Sequence, residues 1–200
     1  MQQVRSRREL YSEATRAALL DEATRLFATR GYAGTSLEDV AAASRVTRGA
    51  VYHHFDGKQA LFEAVLDAQE MRAIAEITAA ATAADPLEAT LQALDAFLGQ
   101  CCDPIYGRLV WLEAPAALGW HRWRECEQKY AYGLVERYIT ALVDAGYLAD
   151  RALGSLVRFS FWMLGGAGLA LAEAPEADKP RLHEEWRYLI RRTISGLRAS

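Results

Sequence analysis

The sequence predicts an all-α fold of about nine helices, on three observations. Helix formers dominate (Ala, Leu, Glu and Arg), and no run of β-branched residues is long enough to make a strand. Apolar positions recur at three- and four-residue spacing through most of the chain. Start and stop signals divide those stretches. Asp85-Pro86 and Asp103-Pro104 each set a capping carboxylate before a proline at the first helical position, and Gly31 and Gly146 each close a helix. Two hundred residues suffice to bury a core and to form one or two domains.

Taken in order, Met1 to Leu10 reads as a mobile basic arm, whose Arg5, Arg7 and Arg8 have the charge to reach a phosphate or a minor groove. A first helix spans about Glu13 to Thr29, with Leu19, Leu20, Ala23, Leu26 and Phe27 on one stripe. The stretch LEDVAAASRVTRGAVYHHF, Leu37 to Phe55, then reads as two short helices joined at a tight corner. Ser36 caps the first and Asp39 completes a capping box, while Leu37, Val40 and Ala41 share its inner face. Thr47 caps the second. At about 100° per residue, Ala50, Val51, His54 and Phe55 share one arc, and Arg48, Gly49, Tyr52 and His53 share the opposite one.

That outer arc holds a guanidinium, a bare backbone, a phenol and an imidazole, all suited to close approach by a polar partner. Two helices so disposed make a helix-turn-helix, which lays its second helix in the major groove of DNA. The spacing alone fits a helical hairpin with a solvated outer face equally well.

A fourth helix starts near Lys58 and runs towards Ala84; a cation in its first turn opposes the helix dipole unless an anion is close by. The fifth carries Leu87, Leu91, Leu94, Phe97 and Leu98, and a short sixth, IYGRLVWLE, ends before Pro115. A seventh spans about Trp120 to Ala145. The eighth, about Arg151 to Ala172, is apolar nearly all round, so it should be buried in its own chain or against a second copy. Gly165, Gly166 and Gly168 weaken it as an isolated helix, which close backbone approach to a neighbour would offset. A ninth follows Pro175, with Leu182, Trp186, Leu189 and Ile190 on one stripe.

Charge is unevenly spread: residues 1–60 hold nine Lys/Arg against seven Asp/Glu, and the remainder fourteen against nineteen. A mildly basic head on an acidic body fits local phosphate binding better than a general affinity for nucleic acid. Cys101, Cys102 and Cys126 make neither a paired framework nor a zinc or redox spacing, so the expectation is a reducing cytoplasm and no metal or cofactor. The arginines of MQQVRSRREL have no apolar stretch behind them, and the longest uncharged run, Phe159 to Ala172, is short for a bilayer; neither a signal peptide nor a membrane association is expected.

The run LDEATRLFATRGYAGTSLEDVAAASRVTRGAVYHHFDGKQALFEAV resembles the N-terminal domain of the tetracycline-repressor (TetR) family, with that family's helix, Phe, Gly-Tyr, Thr-Ser, VA, (V/L)Y-x-x-F and Lys elements in place. It covers about a quarter of the chain. The resemblance implies a DNA-binding domain over 1–57, an effector-binding and dimerisation domain over 58–200, and a homodimer on a palindromic operator, joined through its last two helices. It implies phosphate contacts from Thr35, Ser36, Thr47, Tyr52 and Lys58, with Arg45 at the corner as a further one. Arg48 would meet base edges with Gly49 admitting the backbone, and His53 would lie at the groove floor or a phosphate. His54 is expected to be structural.

Beyond Leu66 such domains vary. An effector pocket among helices four to eight is expected from Phe97, Tyr106, Trp111, Trp120, Tyr130, Phe159 and Trp162, with Glu113 as polar anchor for a cationic or amine-bearing ligand. The competing expectation is that these aromatics simply fill a core. Two other classes compete with a ligand-responsive repressor. An enzyme would have to rely on Glu113, His121 and Cys126, since GxSxG, P-loop, HExxH and CxxC are all missing. A dimeric small-molecule binding or interaction protein would not need the intact Thr47, Arg48, Gly49, Tyr52 and Lys58.

Overall fold

The computed structural model describes residues 7–149 and 152–197. The expected contacts of Arg5 and of the Arg8 side chain lie outside the described residues. Among those residues there are nine helices and no strand. They are α1 (Arg7–Arg30), α2 (Leu37–Ala43), α3 (Arg48–His54), α4 (Lys58–Ala80), α5 (Pro86–Cys102), α6 (104–118), α7 (120–144), α8 (Leu153–Glu173) and α9 (Lys179–Gly196).

Several limits differ from expectation. Helix α1 already includes Arg7, ahead of the expected start near Glu13, and Glu9 lies in its first described turn, where a carboxylate suits the dipole. Helix α4 stops at Ala80, short of Ala84. The amides of Thr82 and Ala83 instead donate to Gln92 Oε1 at 2.8 and 2.9 Å, a side chain supplying what another helical turn would have given. Helix α6 passes through Pro115 to Leu118. It does so because Gly107–Glu113 is π-helical: the Ala114 amide reaches back to Leu109, and that wider register makes room for a residue with no N–H. Helix α7 has a second π segment, Gln128–Tyr132.

The chain forms two compact units, divided after Ala68 within α4. In the first unit, Leu19, Ala23 and Phe27 of α1, Val40 of α2, Val51 of α3 and Leu61, Phe62 and Val65 of α4 are fully enclosed. Phe62 meets the rings of Phe27 and Tyr32 at 5.0 Å. The opening turns of α4 therefore belong to the head's core.

In the second unit, α8 packs against α5, α7 and the π segment of α6, and α9 against α5. Gly168 of α8 explains one of the expected close approaches: a Cβ there would fall 2.5 Å from Cε2 of Trp111. Gly165 faces the same indole at ordinary contact distance, and Gly166 faces open space. By length and composition alone α8 would suffice to cross a membrane. Its inner face, Val157, Phe161, Ala167 and Leu171, is instead buried among these helices, while Phe159 and Leu169 stay exposed.

Candidate nucleic-acid interface and ligand cavity

The two-helix corner is built as its sequence dictates. Ser36 Oγ accepts from the Asp39 amide at 3.1 Å, and Asp39 Oδ2 accepts from the Ser36 amide at 2.9 Å, a complete capping box. Thr47 Oγ1 accepts from the Ala50 amide at 3.3 Å and starts α3. Val51 and Phe55 face inward, while Arg48, Gly49, Tyr52 and His53 are exposed on the outer side. His54 is half-buried, and burial, then the neighbouring His53 and Arg16, hold its imidazole below the ordinary histidine value. Arg45 turns the corner with φ 56°, a left-handed conformation that costs a non-glycine residue about 1 kcal/mol and leaves its side chain in solvent.

One expected phosphate contact needs correcting. Thr35 is buried, and its hydroxyl donates to the carbonyls of Gly31 (2.9 Å) and Leu26 (3.3 Å), so its role is to close α1 onto the corner. Ser36 keeps only the edge of a hydroxyl that is committed to its cap. Lys58 is half-buried with Nζ 4.2 Å from the centre of the Tyr32 ring, a cation–π contact that offsets its unfavourable place at the start of α4.

Sequence reasoning missed the partner of Arg48. Its guanidinium meets Glu38 Oε1 at 2.8 Å and donates to the Tyr52 hydroxyl at 3.2 Å. The fork is thus already extended over the outer face, on a partner that any nucleic-acid contact by this side chain would have to displace.

Gly49 is free to take a methyl group, since a Cβ there meets nothing nearer than Thr47 Oγ1 at 3.8 Å. Gly49→Ala should therefore stabilise the head by about 0.5–1 kcal/mol through helix propensity. If a DNA backbone approaches here, the same methyl should weaken DNA binding at least tenfold. Thermal melting and fluorescence anisotropy on one preparation check both; unchanged DNA affinity would show that nothing approaches this backbone closely.

The second unit holds a partly open apolar cavity of about 120 Å³. A water needs roughly 10–15 Å³ by this measure, so the space admits an organic molecule rather than a lone solvent. Phe97, Tyr106, Trp111 and Trp162 line it as expected residues brought together, joined by Trp123, Tyr138 and Phe161. Trp111 is fixed edge-to-face between Phe97 and Trp123, and Trp123 Nε1 donates to the Val110 carbonyl at 3.0 Å.

Four expected lining residues stand elsewhere. Trp120 and Phe159 are about half exposed on outward faces, and Tyr130 stacks under Lys129 at 4.4 Å. Glu113 turns back along α6 to Arg108 at 3.4 Å, because the π register rotates it off the cavity face. The acidic groups that do reach the cavity are Glu70 of α4 and Glu127 of α7, both buried, with the Tyr106 hydroxyl donating to Glu70 Oε1 at 3.2 Å. Their signal was present in the sequence. Glu70 shares a stripe with Ala73, Ile74 and Ile77, and Glu127 with Trp123, Ala131 and Leu134. Burial first, and then the facing Glu70, push the Glu127 carboxyl well above the usual carboxylate range.

Residues 19–65 match bacterial regulatory proteins of the tetR family, and residues 87–197, more than half of the chain, match the tetracyclin repressor-like C-terminal domain. The chain belongs to the tetR family of bacterial regulatory proteins and is a helix-turn-helix transcriptional regulator. It is 53% identical over 55 residues to the HTH-type transcriptional repressor Rv3405c of Mycobacterium tuberculosis, a match spanning 28% of this chain and only 29% of that protein. Likeness over the full length comes from solved structures. A TetR-family transcriptional regulator from Pectobacterium atrosepticum superposes with a TM-score of 0.80 at 29% identity, covering 98% of this chain and 99% of that one. MexZ, a repressor responsible for antibiotic resistance in Pseudomonas aeruginosa, superposes at 0.66 and 28% identity, covering 94% and 96%.

Proposed function

We propose that this protein is a cytoplasmic, homodimeric repressor that binds a palindromic operator and is released from it by a small-molecule effector. The observation that carries the reading is α3, whose inner side is buried while Arg48, Gly49, Tyr52 and His53 lie open on the other. Thr47, Tyr52, Lys58, Arg45 and Ser36 are the groups for phosphate, and Arg48 is the group for a guanine edge. Two such heads on successive major grooves would read half-sites about 34 Å apart.

Dimerisation through α8 and α9 is supported by their unfilled apolar surface. Phe159 and Leu169 on α8, and Tyr188 and Leu189 on α9, are between two-fifths and two-thirds exposed, and a second copy would cover them. The effector site is the cavity lined by Phe97, Tyr106, Trp111 and Trp162. Helix α4 begins in the head at Lys58 and carries Glu70, Ala73, Ile74 and Ile77 of the cavity wall. A ligand that prefers one setting of α4 shifts DNA affinity by its differential affinity for the two settings, and by no more than that.

The test is selection from a random duplex library by the full-length chain. A two-fold symmetric site, with half-sites one turn apart and two chains bound per duplex, is the expected product; recovery of unenriched sequence overturns the reading.

A further inference from the structure

We propose that the cavity takes a lipophilic organic cation, an amine or quaternary ammonium, held by the carboxylates of Glu127 and Glu70 between aromatic walls. This rests on the reading of the cavity as the effector site and gives that site its ligand class.

The first ground is Glu127 itself. It is 6% exposed, lines the cavity, and makes neither a hydrogen bond nor an ion pair among the described residues. A buried carboxylate without a partner is costly, and a ligand that supplies the partner offsets that cost. Glu70, 4% exposed, shares the cavity, so two acidic groups converge there. Arg124, one turn before Glu127, reaches the same wall but pairs with neither, and its Nε has no acceptor among the described residues. Charge and partners are therefore unbalanced towards negative. The second ground is the wall. Phe97, Trp111, Trp123 and Phe161 present ring surface around the acids, and aromatic faces attract cations most strongly where water is excluded. An anion would meet two carboxyls, and a neutral apolar guest would leave Glu127 without a counter-charge.

A pH dependence follows. The groups facing Glu127 are Glu70 on α4, Cys101 on α5, Tyr106 on α6 and, on its own helix, Arg124. Burial raises the thiol of Cys101 and the phenol of Tyr106, so both keep their protons. Burial and the facing Glu70 favour the protonated form of Glu127 while no cation is bound. A bound cation takes that proton's place, so binding releases a proton and affinity rises with pH until the pair is ionised.

Benzyltrimethylammonium and its uncharged carbon isostere, neopentylbenzene, separate charge from shape. Binding is read by tryptophan fluorescence and by melting temperature on the full-length protein. The cation should bind at least tenfold more tightly than the isostere, and more tightly at pH 8 than at pH 6. Glu127→Gln should cost the cation at least tenfold, flatten its pH dependence and leave the isostere unchanged; Glu70→Gln should act in the same direction. Removing a buried charge should not lower the melting temperature of either variant. Equal affinity for the two probes, insensitive to both substitutions, overturns the cationic class and leaves the effector cavity standing. No response to either probe at millimolar concentration overturns both.

Discussion

Arg48→Ala should weaken operator binding by roughly tenfold to a hundredfold per half-site while leaving the fold unchanged. A guanidinium that meets a guanine bidentately carries discrimination of that order, and alanine leaves both acceptors of the base edge unmet. The side chain is exposed, and its contacts to Glu38 and Tyr52 are solvent-screened, so thermal stability should hold. Arg48→Lys should fail nearly as badly, since it keeps the charge and loses the fork. The check is anisotropy on the selected duplex and on its scrambled version. Arg48→Ala should bring the two affinities together, whereas Lys58→Ala should lower both and shrink the salt slope by about one per head. An Arg48→Ala protein that still prefers the selected site contradicts the assignment.

Gly168→Ala should destabilise the second unit by about 1–3 kcal/mol and abolish ligand binding. The added methyl would lie 2.5 Å from Cε2 and 2.9 Å from Cη2 of Trp111, closer than real contacts come. The indole is hemmed by Phe97 and Trp123, so the direction left to it is the cavity. Displacement of Trp111 therefore both strains the packing and fills the space a ligand needs. Gly99→Ala, at an exposed position of α5 away from that face, is the control. It meets nothing within 4 Å and should gain about 0.5–1 kcal/mol from helix propensity. Urea titration of the two variants checks the pair, and equal midpoints would show that Trp111 yields without cost.

The head was legible because its signals are local. Ser36 with Asp39, and Thr47 with Ala50, are bonds between residues three apart, and the two arcs of α3 follow from helical periodicity alone. Thr35 was misjudged because its acceptors, Leu26 and Gly31, belong to the end of the preceding helix, which periodicity within the corner does not see. The body was legible in outline only. Its helix starts at Pro86 and Pro104 followed from Asp-Pro pairs, whereas the π segments follow from no propensity rule, and they reset which residues face inward. Glu113 was lost to the cavity that way. Glu70 and Glu127 were readable as acids on apolar stripes, but aromatic residues drew the expectation instead. Which of Trp111, Trp120 and Trp162 lines a cavity depends on how helices distant in sequence pack.

The central claim is that α3 presents a DNA-reading face, and the salt dependence of binding to the selected duplex tests it most directly. Phosphate neutralisation by Arg45 and Lys58 on two heads predicts that log K falls steeply and linearly with log salt, on a duplex that scrambled sequence does not match. Affinity that is flat with salt, or equal for selected and scrambled duplexes, would contradict it.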